Sequence, residues 1–365
     1  MKRLLPALLC LCLLLTACAG NTTPETSTPT TVVTTEPTTE PTTEPTTVPT
    51  TEPPVLYRHP LNGAPLDEPW TSRITAVVIN NIAAAMPQHG VSAADIIYEV
   101  ETEGGITRCL ALFSDFTDVG SVGPVRSART FFNNIALSYE APLVHCGGSA
   151  AALRGQHSES GDRIDGWEHI DEAANGSYFF RDKTRLNNGY SREHTLFSNG
   201  ELLAKVLADK KMNKVYEEGL DFGLAFDDEI TIDGEAANKI TVRFLGTKTT
   251  TMNYNEDTGL YEASQYNTDY IDGNTNKTMT FTNVMTLYTK HWRVYDGYYY
   301  RSYYNLVGEG DGHFAYGGQI VPIKWHRDTL RSPFYYTLAD GTPLVLGEGK
   351  TYIAVASVET PAIYE

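Results

Sequence analysis

Cysteine is scarce: the 365-residue chain has five, and three of them fall within the first eighteen positions. A disulfide-stapled scaffold is therefore excluded. The other two, Cys109 and Cys146, each sit in an apolar run. They could close one bridge in an oxidising compartment, but such runs also suit buried free thiols, and unpaired cysteines are the expectation. The chain has no Cys-x-x-Cys, no His-Glu-x-x-His and no Cys/His cluster at zinc spacing. No metal site is expected, and nothing calls for a cofactor. Acidic turns at 227–229 and 267–276 lack EF-hand spacing and read as hairpin turns. The Gly-x-Ser-x-Gly nucleophile elbow is also missing, which leaves Cys146 and Ser149 without the context of a nucleophile. Positive charge is in short supply, with 28 Lys and Arg against 45 Asp and Glu and a net charge of −17. That balance argues against nucleic acid and anionic lipid as primary partners.

What is present begins with an export leader over 1–18. Lys2 and Arg3 precede an apolar run over 4–15 that is too short to span a bilayer comfortably. Leu15-Thr16-Ala17-Cys18 then matches a bacterial lipobox, so Cys18 is the expected lipidation site and the chain's route to the membrane. Residues 19–54 form a Thr/Pro/Glu linker with a period of four, as in Thr34-Thr35-Glu36-Pro37. It has too little apolar content for a core, and its regular proline favours extended chain. At ~3.1 Å per residue it could reach on the order of 100 Å.

The remaining residues are read as an α/β N-terminal domain with mixed sheet over 55–220, followed by a β-rich C-terminal domain over 221–365. In the first, β-branched runs at 74–80, 106–113 and 142–146 read as strands. A helix is expected over 127–140 and another over 201–212, and strand–helix–strand implies some parallel pairing. Ser92 is expected to cap a short turn over 93–95. In the second, strands are expected at 240–244, 284–288, 298–304, 319–325 and 351–358, with no long helix. The 22 tyrosines, dense in the last third, suit half-buried strands or a carbohydrate-type surface, and sheet-face positions are expected for them.

Several motifs stand out. They are Asn80-Asn81 with Met86-Pro87-Gln88, Ala94-Asp95-Ile96-Ile97-Tyr98-Glu99, Glu103-Gly104-Gly105-Ile106-Thr107-Arg108, Gly123-Pro124-Val125-Arg126-Ser127-Ala128-Arg129 and His145. Looser ones follow at Asn283-Val284, Gly308-Glu309-Gly310, Trp325 and 347–353. In these the chain resembles the YerB-like bacterial lipoproteins, found mainly in Gram-positive bacteria and built of two adjoining domains of unknown function. The likeness covers 55–365, and it departs at Glu193-His194-Thr195, where that family more often shows Pro-His-Asn. It implies a surface lipoprotein and supplies no established activity.

Charged, glycine-punctuated loops between apolar runs are where an α/β domain usually places a site. Glu99, Glu101 and Glu103 alternate, so an extended segment would point all three to one face, where they would require cations. Arg108, Arg126 and Arg129 are the natural candidates, the last two on one face of a helix start. Gly104-Gly105 would let backbone approach a ligand. The ligand-binding candidates are Glu99, Glu103, Arg108, Arg126, Arg129 and His145. The first reading is an extracytoplasmic, lipid-anchored binding module for a cell-envelope component: a cell-wall glycan, a peptide or an envelope protein. One alternative is an envelope-polymer hydrolase with Glu99 or Glu103 as acid/base, another a scaffold for membrane or envelope proteins. A structural ion-pair network remains the plain explanation of the same charges.

Overall fold

Thr75–Asn81 is buried along its whole length, and so are Ile96–Glu101 and Thr107–Phe113. Strands with no exposed face must be covered on both sides. The computed structural model describes residues 57–158, 161–216, 220–246 and 248–365. The expected leader, the lipidated Cys18 and the Thr/Pro linker lie outside the described residues. No helix among those residues is long and apolar enough to cross a membrane.

The chain has an N-terminal α/β part with mixed sheet and a strand-rich C-terminal part, and one eleven-stranded sheet runs through both. Its order is Glu235–Ala236, Gln319–Arg327, Gly308–Tyr316, Asn283–Thr289, Thr351–Ser357, Ile96–Glu101, Thr107–Phe113, Thr75–Asn81, Leu143–His145 and His169–Asp171. Tyr335–Leu338 adds to Gln319–Arg327. The two parts meet where Thr351–Ser357 runs parallel to Ile96–Glu101, with Tyr352 opposite Ile97 and Ala354 opposite Glu99. The implied parallel pairing in the first part is present between Thr75–Asn81 and Leu143–His145.

Alternation along the central strands makes two cores, because successive side chains leave a strand on opposite faces. Val77, Ile79, Ile97, Cys109 and Ala111 face a smaller, six-stranded sheet that contributes Ile240, Val242, Met252, Tyr261 and Ala263. Val78, Tyr98, Val100, Leu110 and Leu112 face the helix Thr130–Ser138 through Phe131, Phe132 and Ile135. The second helix, Gly200–Asp209, is capped by the Asn199 side chain, which accepts from Leu202 N at 2.8 Å. Cys109 and Cys146 are both free thiols.

Three local expectations are corrected. The helix begins at Thr130 rather than 127, because the backbone before it is committed to the sheet. Asn80 N donates to Pro124 O and Arg126 N to Val78 O, each at 2.8 Å. Arg126 and Arg129 therefore sit on an extended strap, with Arg129 at the N-cap in β conformation. The turn near Ser92 is Val91–Ala93, entered from Gly90 at φ 77°. Gly308–Tyr316, absent from the expected strands, is a nine-residue strand. A Cβ at Gly310 would come within 2.4 Å of the Trp325 indole, so this strand needs glycine for packing.

Because Ile96–Glu101 depends on Thr351–Ser357 for its parallel partner, residues 55–365 are expected to unfold as one cooperative transition in calorimetry. A 55–220 fragment, left with that edge bare, is expected to show no cooperative melt. Two separate transitions in the longer fragment would contradict this.

Candidate functional site

The strand carrying the acidic run ends at Glu101, and Gly104 and Gly105, both at positive φ, reverse the chain into Thr107–Phe113. Only Glu99 and Glu101 thus share a sheet face, and Glu103 swings out on the turn. Each carboxylate has a different environment.

Glu99 is 1% exposed. It accepts from Asn81 Nδ2 at 2.9 Å, Thr107 Oγ1 at 2.6 Å, Thr250 Oγ1 at 2.7 Å and Tyr352 OH at 2.7 Å. Lys248 Nζ lies 3.1 Å away and is equally buried. Burial pushes this carboxyl upward, but Lys248 and the hydroxyl donors outweigh it and hold Glu99 below the ordinary carboxylate range. Glu99 is therefore walled off beneath the second sheet and does not share a recess with the arginines. Glu101 meets Arg293 at 3.1 Å and the Gly246 amide at 3.2 Å, with burial raising its pKa. Gly246 also occupies the space beside Gly105, where a Cβ on Gly246 would meet the Gly105 Cα at 2.4 Å. The close backbone approach at this glycine pair comes from the chain itself.

Glu103 is the carboxylate that reaches the arginines. Arg129 grips it in a fork, Nε to Oε1 at 2.8 Å and Nη2 to Oε2 at 2.6 Å, and Arg301 Nη1 stands 3.8 Å from Oε2. Burial raises the Glu103 pKa, but Arg129 and then Arg108 bring it below the usual range. Arg126 pairs with Glu193, the residue standing where the sequence pattern departs from its resemblance.

Arg108 is different. It is 4% exposed, its Nη1 donates to Ser127 O at 2.8 Å, and its Nε has no hydrogen-bond partner among the described residues. Among the described residues it makes no ion pair with a carboxylate. Burial, then the charges of Arg129 and Arg126, depress its pKa well below that of a free guanidinium. Arg327 provides the comparison, being just as buried yet fully engaged. Its Nε donates to Ser332 O at 2.9 Å, Nη1 to Asn134 Oδ1 at 2.5 Å and Leu306 O at 3.2 Å, and Nη2 to Asn134 O at 2.9 Å and Leu330 O at 2.5 Å. A structural guanidinium in this fold is saturated with acceptors, and Arg108 is not.

The His145 loop lies beside the arginine strap: Cys146 N donates to Arg126 O at 3.0 Å and Ala128 N to Gly147 O at 2.9 Å. The His145 ring is buried, bonded to Gly147 O at 2.9 Å and His169 Nδ1 at 3.0 Å, and stacked with His169. Burial lowers its pKa to about 4, so it is neutral at pH 7. Burial and Glu172 raise the Cys146 thiol to about 11, the opposite of an activated nucleophile.

The structure thus brings together Glu103, Arg108, Arg126 and Arg129. Arg301 and Glu193 join them from segments the sequence does not connect, and Glu99 and the His145 ring sit apart. Lys248, the partner of Glu99, carries no sequence signal beyond a lysine in a threonine run. Among the described residues no group of three or more His, Cys, Asp or Glu is arranged to hold a metal. Two open recesses of about 660 and 840 Å³ lie elsewhere. The cations they share, Arg73 and Lys214, already pair with Glu168 at 2.6 and 3.2 Å.

One sheet shared by an N-terminal α/β segment and a strand-rich C-terminal segment defines a paired-domain protein whose halves are built into each other. The chain belongs to the DUF3048 family. The model described as "Protein of unknown function (DUF3048) N-terminal domain" matches residues 61–213, and that of the family's C-terminal domain matches 240–353. A Bacillus subtilis (strain 168) protein named "Putative lipoprotein YerB" is 30% identical over 305 residues, covering 81% of this chain and 85% of that protein. The crystal structure of YerB from Bacillus subtilis superposes with a TM-score of 0.70 at 24% identity, over 84% of this chain and 99% of that one. That superposition establishes a common fold.

Replacing Lys248 with methionine is expected to destabilise the protein by roughly 3–5 kcal/mol near neutral pH, since it strands a buried carboxylate. In the wild type Glu99 is held low, so its contribution is present above the unfolded-chain pKa of about 4.3 and lost as pH falls through the folded value. In Lys248→Met the hydroxyl donors remain but the charge that helped them outweigh burial is gone, so the Glu99 pKa moves up from its wild-type value and the deficit is expected to shrink on acidification toward pH 5. Urea midpoints at the two pH values check this, and a deficit independent of pH would contradict it.

Proposed function

We propose that this protein is a lipid-anchored, extracytoplasmic binding module whose arginine recess, formed by Arg108, Arg126 and Arg129 around Glu103, takes an anionic group of a cell-envelope component. The observation that carries the reading is Arg108, a buried guanidinium whose Nε has no hydrogen-bond partner among the described residues. Among the described residues Arg126, Arg129 and Arg301 each pair with a carboxylate (Glu193, Glu103 and Asp296), and Arg108 does not. A surplus guanidinium in a chain of net charge −17 favours an anionic ligand at that place. Arg126, whose partner Glu193 is half exposed, is the cation that an incoming carboxylate or phosphate could recruit.

The address rests on the leader, the Leu15-Thr16-Ala17-Cys18 lipobox and the lipoprotein name of the Bacillus relative. Attachment through Cys18 with a long polar linker would hold the folded part away from the membrane. Binding rather than hydrolysis is favoured by the two candidate acids. Glu99 and Glu103 are both held below the ordinary range, whereas a general acid needs a raised pKa.

The test is thermal shift and calorimetric titration of the soluble 55–365 fragment against purified cell-wall fragments. A rise in melting temperature with wild type is expected, and at least tenfold weaker binding for Arg126→Ala at unchanged fold by circular dichroism. No shift with wild type, with Arg126→Ala and Arg129→Ala affecting stability alone, would reject the reading.

A further inference from the structure

A hairpin over His291–Tyr295 and Tyr300–Tyr304 reaches the arginine cluster through Arg301, 3.8 Å from Glu103. Its base packs on the sheet end: Tyr304 OH donates to Glu101 O at 3.1 Å, its ring meets Phe131 edge-on, and Arg293 pairs with Glu101. Its tip is Tyr295-Asp296-Gly297-Tyr298-Tyr299-Tyr300, and the four tyrosines are between 58% and 84% exposed. Exposed large aromatics at this density are unusual on a soluble surface.

The tip is held in shape by Asp296. One carboxylate oxygen accepts from the amides of Tyr298 and Tyr299 at 3.0 and 2.8 Å, and the other from Arg301 Nε at 2.6 Å. Arg301 lies 4.8 Å from the centre of the Tyr299 ring and also reaches Glu103. Tyr299, Arg301, Glu103 and Arg129 therefore form one contiguous chain of contacts, from exposed ring to buried recess.

We propose that this tip is a stacking platform for sugar rings, continuous with the recess, and that the ligand is a glycan strand whose sugars carry carboxylate groups; this rests on the anion-binding reading above. A pyranose offers an apolar C–H face ringed by hydroxyls, which matches an exposed tyrosine with its flat ring and polar edge. Four such rings on a prebound turn supply contact area at low ordering cost. Charge complementarity selects an acidic sugar, since the arginine cluster lies at the foot of the platform, joined to it through Arg301 and Glu103. Carboxylate is the fitting anion because Arg129 already grips one in a fork at Glu103. A membrane surface fits poorly, because exposed aromatics bind bilayers best with flanking cations and this chain is strongly acidic.

The test uses the full chain, purified in detergent, titrated with carboxylated glycan strands, the same strands with carboxylates reduced to alcohols, and polyglutamate. Wild type is expected to bind the carboxylated strand, with at least tenfold loss in Tyr298→Ala/Tyr300→Ala and in Arg126→Ala. The reduced strand is expected to bind weakly, in a manner sensitive to the tyrosine variant alone, and polyglutamate weakly, in a manner indifferent to it. If the tyrosine variant binds the carboxylated strand like wild type while Arg126→Ala does not, the platform is overturned and the recess survives. Equal affinity for polyglutamate and strand has the same meaning. No binding of either anion overturns both readings, and co-sedimentation with anionic vesicles that only the tyrosine variant loses, without strand binding, overturns the platform in favour of a membrane.

Discussion

The buried pair of Glu99 and Lys248 is the contact on which the joining of the two halves depends. The carboxylate comes from Ile96–Glu101 and the ammonium from the hairpin between Lys239–Arg243 and Thr249–Asn255. Four more donors arrive from Asn81, Thr107, Thr250 and Tyr352. Removing two charges from water is costly, and the attraction between them repays this only when remaining lone pairs are also met. Here they are met by groups from distant parts of the chain. A one-residue slip of Thr351–Ser357 against Ile96–Glu101 would turn Tyr352 to the other face and leave the carboxylate short of a donor. The pair therefore sets register as well as proximity.

Two buried arginines show what the same fold does with charge for different ends. Arg327 ties the helix Thr130–Ser138 to the C-terminal loops by giving its protons to five neutral acceptors. Arg108 is buried among other arginines, with Ser127 O as an acceptor and, among the described residues, no partner for its Nε. A buried donor left without an acceptor is a net cost to the folded chain, and such costs concentrate at sites with work to do. The neighbouring turn is rigid rather than adaptable, since Arg129 and Glu103 fix each other and the strap 124–126 is bonded into the sheet.

Much of the architecture was legible in the residues. The run Thr75–Asn81 reads as a buried strand because it is β-branched and apolar on both parities, and both faces are indeed covered. Asn283–Thr289 and Thr351–Ser357 follow from the same logic. Gly308–Tyr316 was hidden, because Gly310 serves close packing against Trp325 rather than a turn. The helix start was misplaced by three residues because helical propensity lost to backbone pairing with Pro124 and Arg126. At the site, Glu103, Arg126 and Arg129 were recognisable by charge and glycine context, and Glu99 by charge alone, which does not tell a recess from a core. Arg301 and the tyrosine tip had only composition to announce them, a run of tyrosines after Asp-Gly.

The sequence by itself determined the local periodicities, the acidic balance, the scarcity of thiols and the set of charged residues that needed partners. Those follow from neighbours along the chain. Tertiary structure alone decided which partner each charge received: Lys248 for Glu99, Arg129 for Glu103, Glu193 for Arg126, and, among the described residues, none for the Arg108 Nε. The physical reason is range. Strand periodicity is set within a few residues, whereas pairing a charge depends on segments more than a hundred positions apart meeting at ångström distances with water excluded.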